Sequence, residues 1–306
     1  MPSTRSNLNP KSDQAAGPQL RFEAIGTMWQ IDFDNSLSLS QAAAVEPLIL
    51  ARIDQFDQHY SRFRDDSLVT AMAATSGRYR LPADAEIMLD LYRKLYELTG
   101  GAVTPLIGQV LSDAGYDAQY SLEPKTMHTP PRWEEILLYQ FPDLTLFKPA
   151  ILDFGALGKG YLIDIIANLL QQRGILYFCV DAGGDLMYRG RPGASLRVGL
   201  EDPGDVSKVI GVAQIDKQSL CGAAGNRRAW AGYTHIIDPR TLKSPEHIKA
   251  LWVVAQTTML ADALTTALYF VSADILQHTY KFEYAILYSD HSLKYSPDFP
   301  AKFFSV

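Results

Sequence analysis

Cysteine is scarce in this chain: of 306 residues only Cys179 and Cys221 carry a thiol. Two thiols so far apart exclude a disulfide framework and a zinc site, and each is more simply a small buried apolar residue. An excess of positive charge is also lacking. The 28 basic residues against 34 acidic ones leave a net charge of -6, opposite to the footprint of a polynucleotide binder, so no nucleic-acid partner is expected. No apolar run reaches the roughly 18 residues that a transmembrane helix needs. Met1 to Gln19 is polar and has no apolar stretch of the secretory kind. Residues 1–20 are therefore expected to form a flexible tail before a domain over 21–306, and cytoplasm is the expected location, or periplasm if a leader was trimmed. No internal repeat occurs at a period of 20 to 50 residues, and neither HExxH nor GxSxG is present. A composition of 47% hydrophobic and 20% charged residues is that of an ordinary globular protein and excludes wholesale disorder.

The elements follow from pattern. Arg21 to Phe33 has strand composition, with Gly26 suggesting a bulge or a close backbone approach. Leu48 to Phe56 looks helical. Pro82 and Asp84 announce a helix in which Ile87, Leu91, Leu95 and Leu98 repeat at helical spacing, and Gly100-Gly101 ends it. Ser112 to Pro149 carries five prolines and is expected to be loops and short elements outside the core. Asp153 to Tyr161 is a glycine-rich turn that feeds an amphipathic helix with Leu162, Ile165, Ile166, Leu169 and Leu170 on one face. Ile175 to Val180 then reads as a buried strand ending in Asp181-Ala-Gly-Gly-Asp185. Further strands are expected from Leu196, at Ala250 to Ala255 and at Tyr284 to Tyr288, a glycine- and alanine-rich loop at Cys221 to Gly225, and a helix from about Met259 to Val271.

Three places can carry chemistry. The turn at Gly155 to Gly160 leaves amides at a helix start free to face an anion such as phosphate. It matches neither the P-loop nor GxGxxG, so a tight packing turn is an equal reading. Asp262 and Thr266 stand four apart and share a helix stripe away from Leu260, Leu264, Ala267 and Val271. Such an oxygen pair suits Mg²⁺, although a carboxylate in a first helical turn and a surface hydroxyl would look the same. His235 precedes the turn signal Asp238-Pro239. If it faces a site it can take a proton from a hydroxyl nucleophile, with Asp238 as an orienting group.

In order, these stretches resemble the flavin transferases of the ApbE type, FAD:protein FMN transferases, from about Glu23 to Phe299. The matching pieces are Ile25-Gly-Thr27, Tyr60-Ser-Arg-Phe-Arg with Asp66-Ser67, and Thr99-Gly-Gly-Ala102. They continue with Asp153 to Tyr161 with Asp164, Gly183-Gly-Asp185, His235-Ile-Ile-Asp-Pro-Arg-Thr241, and Ala261-Asp262 with Thr266-Ala267.

The resemblance implies an α+β fold, a single ApbE-like domain of mixed β-sheet structure packed by helices. It further implies that FAD is cleaved with Mg²⁺, Mn²⁺ being possible chemically, and that FMN is attached by a phosphoester to a Thr or Ser of an acceptor protein with release of AMP. By position, Asp262, Thr266 and the backbone carbonyl of Ala156 would hold the metal, and His235 would deprotonate the acceptor. Ile25, Ala102, Val103, Thr104, Lys159 and Ile237 would line the flavin nucleotide, with Gly183 and Gly184 allowing close approach. The chain departs from the family in four places. Val103-Thr104 replaces Phe-Asp, Met72-Ala73 replaces Leu-Asn, and Leu242-Lys243 follows Pro-Arg-Thr where glycine is usual. Cys221-Gly-Ala-Ala-Gly225 replaces a Ser/Thr-Ser-Gly stretch. Changes around a retained metal pair point to altered FAD affinity or acceptor choice. An FAD pyrophosphatase and a non-catalytic FAD-binding protein are the alternatives.

Overall fold

A computed structural model of the chain describes residues 17–225 and 228–304, so most of the tail expected over 1–20 lies outside the described residues. Gln19 and Leu20 do not belong to a tail, because they pair with Asp32 and Ile31 in the first strand. The principal sheet contains β1 (Gln19–Ala24), β2 (Thr27–Phe33), β3 (Phe178–Ala182), β4 (Asp185–Arg189), β5 (Ser219–Ala224), β6 (Ile248–Ala255), β7 (Glu283–Tyr288) and β8 (Leu293–Tyr295). Their order in space is their order in the chain, and each neighbouring pair is antiparallel.

Tight turns explain part of that order. Arg21 to Phe33 is not one bulged strand but a hairpin, because Ile25 and Gly26 both take positive φ (44° and 70°), the conformation that a two-residue hairpin turn requires. Gly183 and Gly184 do the same between β3 and β4. Cys221 to Gly225 is not a loop: residues 221–224 lie in β5, paired to β6. Along β6, Leu251, Val253 and Ala255 enter the main core while Ala250, Trp252 and Val254 enter a second one. Both faces of this strand are covered, which is why its sequence shows no polar alternation. The second core includes side chains from a small sheet of Leu196–Asp202, Asp205–Ile215 and Ala301–Phe303.

Four helices matter for the site: α1 (Leu39–Tyr60), α2 (Ala85–Leu98), α3 (Gly158–Gln172) and α4 (Thr258–Ala267). A capping box of Ser38 and Gln41 starts α1 well before Leu48. On α2 the buried face is Met88, Leu89, Leu91, Tyr92 and Leu95, and Ile87 is 50% exposed, so the stripe is turned toward Tyr92 rather than Ile87. The proline-rich segment also contributes to the core. Its strands Leu137–Gln140 and Asp143–Leu146 pair with each other, the latter also with Gly77–Arg80, and bury Leu137, Leu144 and Leu146 beside Trp133 and Ile136. The α+β, single-domain class expected from the sequence is present, with antiparallel pairing in every described ladder. No helix among the described residues is long and apolar enough to cross a membrane.

Candidate active site

Strand register gathers the glycine turns at one end of the sheet. Trp29 pairs with Ala182 beside the Gly183 turn, and Gly222, near the end of β5, donates its amide to Asp185 Oδ1 just after that turn (3.3 Å). The two glycines differ in purpose. A Cβ on Gly183 would lie 2.2 Å from Thr27 Oγ1, so this glycine lets the β1–β2 hairpin close onto the turn, whereas a Cβ on Gly184 would meet nothing within 4 Å. Gly184 is the one with open space beside it.

The crossing of α3 and α4 supplies the oxygen donors. A Cβ on Gly160 would lie 2.4 Å from the Thr258 carbonyl and 2.7 Å from Asp262 Cβ, so only glycine lets the helices touch here. Asp262 is therefore buried, contrary to the outward-facing position its spacing suggested. Its Oδ2 accepts the Gly160 amide at 2.8 Å. In a regular helix start that amide would bond the carbonyl four residues back, Ala156. With the amide diverted, no described group donates to the Ala156 carbonyl. Burial raises the Asp262 carboxyl above its usual range, opposed by the Lys159 charge and the Gly160 amide. Thr266 follows one turn along the same helix. The helix itself is anchored by Asp164, whose oxygens accept the Thr258 and Met259 amides, each at 2.8 Å.

Cations and His235 complete the electrostatics. The Lys159 ammonium is ion-paired with Asp185. Burial, then the charges of Arg228 and Lys159, push the His235 imidazole down to about 4, so it is unprotonated at neutral pH. Its Nδ1 is buried and has no partner among the described residues. Asp238 does not orient it, because Arg240 grips that carboxylate through Nε (2.9 Å) and a terminal nitrogen (2.7 Å). Arg240 also donates to the Thr99 carbonyl (3.1 Å), which ties the His235 loop to the Gly100-Gly101 turn.

The remaining expected liners are dispersed over two packing clusters. Val103 belongs to the main core and Ile25 packs against it, Ala102 is buried, and Thr104 is spent locally: its hydroxyl accepts the Leu106 amide of a short 3₁₀ turn (3.2 Å). Ile237 packs instead with Val110, Leu111 and Ala114.

Several groups were given no role by sequence reasoning. Asp153 holds Arg62 (2.6 Å) and the Gly155 amide (2.7 Å), which fixes the glycine-rich turn, and Tyr92 donates to its carbonyl (3.1 Å). A carboxylate directly before that turn was the available signal. Arg228, which bonds the Tyr116 hydroxyl (3.1 Å), had none. Phe63 stacks on Tyr120 (4.9 Å), and Tyr116 packs edge-on to Phe63 and tilted against Trp230, an aromatic group beside the Gly26 turn.

Among the described residues no three His, Cys, Asp or Glu cluster to hold a metal. The model of the ApbE family matches residues 25–285. The chain belongs to the ApbE family. Its relatives include the FAD:protein FMN transferase of Escherichia coli (strain K12), 24% identical over 278 residues, with 81% of this chain and 77% of that protein covered. The FAD:protein FMN transferase of Treponema pallidum (strain Nichols) is 26% identical over 274 residues, covering 79% and 75%. Among solved structures, the ApbE protein of Thermotoga maritima superposes with a TM-score of 0.77 at 20% identity, over 92% of this chain and 97% of that one. The flavin transferase ApbE of Vibrio cholerae gives 0.75 at 19%, over 91% and 96%. The ApbE fold is thus present almost throughout.

Proposed function

We propose that this ApbE-family chain is an FAD:protein FMN transferase. The observation that carries the reading is the Gly160 amide diverted to the buried Asp262 carboxylate, which leaves the Ala156 carbonyl, four residues back, without a donor among the described residues. Asp262, the Ala156 carbonyl and the Thr266 hydroxyl would supply three hard oxygen donors, one of them a carboxylate whose burial disfavours its charge, a set that fits Mg²⁺ or Mn²⁺. When bound, that ion would offset negative charge on the diphosphate of FAD. Lys159, freed from Asp185, adds a second positive charge. The open space beside Gly184, where a Cβ would meet nothing within 4 Å, is on this reading the side from which the nucleotide approaches.

His235, neutral at pH 7, takes the proton of an acceptor Thr or Ser hydroxyl. The oxygen bonds the phosphorus on the FMN side, the bond to the AMP phosphate breaks, and AMP leaves. No protein nucleophile is needed, and the buried cysteines, whose thiols are pushed far up by burial, take no part. The names of the relatives support the same reading.

The test mixes the protein with FAD, Mg²⁺ and acceptor peptides carrying a Thr, and looks for a flavin-fluorescent peptide. Free FMN and AMP without labelled peptide would favour a pyrophosphatase. Stoichiometric FAD retained without turnover would favour a binding protein.

A further inference from the structure

A cleft of about 510 Å³ shares no lining residue with the proposed centre, and its volume falls in the range of about 300–1,000 Å³ typical of small-molecule sites. Its floor is one face of β7, because Tyr284, Ile286 and Tyr288 alternate along that strand while Ala285 and Leu287 enter the second core. Lys294 on β8 pairs with Ile286 and so continues the same face toward the sheet edge. One wall is the segment that prolongs α4, in which the Tyr269 and Phe270 amides still bond the Thr266 and Ala267 carbonyls (3.3 and 2.9 Å). The other wall is the loop from Asp238 to Lys243, closed by the Asp238 amide on the Lys243 carbonyl (2.9 Å) and tied to Thr99 through Arg240. Hydrogen-bonded backbone thus fixes the cleft on three sides.

Its lining is unbalanced in charge and in hydrogen bonding. Asp238 is the one carboxylate there, and Arg240 neutralises it (2.7 Å). Lys243 and Lys294 are exposed and form no ion pair with a described residue, which leaves an excess of positive charge. Tyr269, only 4% exposed, carries a buried hydroxyl without a partner among the described residues. Native chains keep few such groups, because burial strips their water and puts nothing in its place. Phe270, Val271 and Ile286 add apolar surface to the same cleft.

The geometry points to a second ligand site, one that takes a small organic anion: a carboxylate or phosphate ester on a compact apolar body. The anionic group meets Lys243 and Lys294, the body lies against Phe270, Val271 and Ile286, and the Tyr269 hydroxyl donates to an oxygen of the ligand. An apolar cleft with a few placed polar groups is the usual build of such sites. The site is separate from the one proposed for FAD and stands whatever reaction that centre performs.

The experiment titrates the full chain by calorimetry with three probes that share one ring system: 1-naphthyl phosphate, 1-naphthoate and the neutral 1-naphthamide. Wild type should bind at least one of the two anions about tenfold more tightly than the amide at low ionic strength, a preference that shrinks with salt. Which anion binds more tightly tells a phosphate ester from a carboxylate as the natural ligand. A Lys243→Glu/Lys294→Glu double variant should lose the preference. Tyr269→Phe, which removes only the hydroxyl, should weaken the preferred anion about three- to tenfold while the urea midpoint does not fall. Saturating FAD and Mg²⁺ should leave the affinity for that anion unchanged, since the two sites share no residue. Equal binding of anions and amide, unchanged affinity in either variant, or displacement of the anion by FAD overturns the inference.

Discussion

Replacing Gly160 by alanine tests the helix crossing that creates the site. The new methyl would stand 2.4 Å from the Thr258 carbonyl and 2.7 Å from Asp262 Cβ, against a comfortable separation of roughly 3.5 Å. The helices α3 and α4 must then part by about 1 Å, at an overpacking cost of about 1–3 kcal/mol. Gly158 is the matched control. A methyl there would meet Phe154 Cβ at an ordinary 3.5 Å, and alanine's better helix propensity should stabilise by up to about 1 kcal/mol. Gly160→Ala gains the same propensity, so urea denaturation should separate the two variants by the overpacking cost alone, about 1–3 kcal/mol. Parting the helices also stretches the 2.8 Å bond from Gly160 to Asp262 past hydrogen-bonding range. A bond to a charged group contributes about 1.5–3 kcal/mol, so the Mg²⁺ concentration for half-maximal FMN transfer should rise about tenfold or more. Titration of transfer activity with Mg²⁺ measures this. If Gly160→Ala matches Gly158→Ala in stability and metal requirement, the crossing does not hold Asp262 as described.

Three further predictions follow from single contacts. His235 is held near 4 in the folded chain against about 6.5 unfolded. The unfolded state binds its proton first, so stability is complete above pH 6.5 and falls by up to about 3 kcal/mol as pH drops toward 4. Urea melts at pH 7 and 4.5 should show this loss in wild type and a smaller one in His235→Gln. Asp164→Ala removes the acceptor of two α4 amides and should cost about 2–4 kcal/mol, read as a lower urea midpoint. Tyr269→Phe removes a buried hydroxyl with no partner among the described residues and should leave Tm unchanged or raise it, by up to about 1 kcal/mol in stability. A clear drop in Tm would mean that the hydroxyl is satisfied in solution.

Much of the fold was written in local pattern. The apolar face of α3, the double glycine ending α2 and the strand at Ala250 to Ala255 were all legible because periodicity and turn residues are local properties. What was not legible depended on partners remote in sequence. Asp262 looked solvent-facing because its spacing was read against α4 alone, and only the absence of a side chain at Gly160 buries it. The hairpin at Ile25-Gly26 was missed because Ile rarely takes positive φ. Prolines masked the short strands around Pro142. Asp238 looked like a partner for His235 until Arg240, two residues on, was seen to hold it. Spacing alone paired Asp262 with Thr266 as hard oxygen donors and Ala156 joined them only by resemblance, whereas the diversion of the Gly160 amide, which leaves the Ala156 carbonyl without a donor among the described residues, depends on a helix crossing that no local pattern encodes.

The central claim is that Asp262 supports metal-dependent transfer of FMN from FAD to a hydroxyl. The most direct measurement quantifies AMP released and FMN bound covalently to a Thr-bearing acceptor, in parallel, for wild type with Mg²⁺, wild type with EDTA, and Asp262→Asn with Mg²⁺. The account predicts equal amounts of AMP and acceptor-bound FMN in the first reaction, with both lost in the other two. Acceptor-bound FMN that persists without metal or without the Asp262 carboxylate would contradict it.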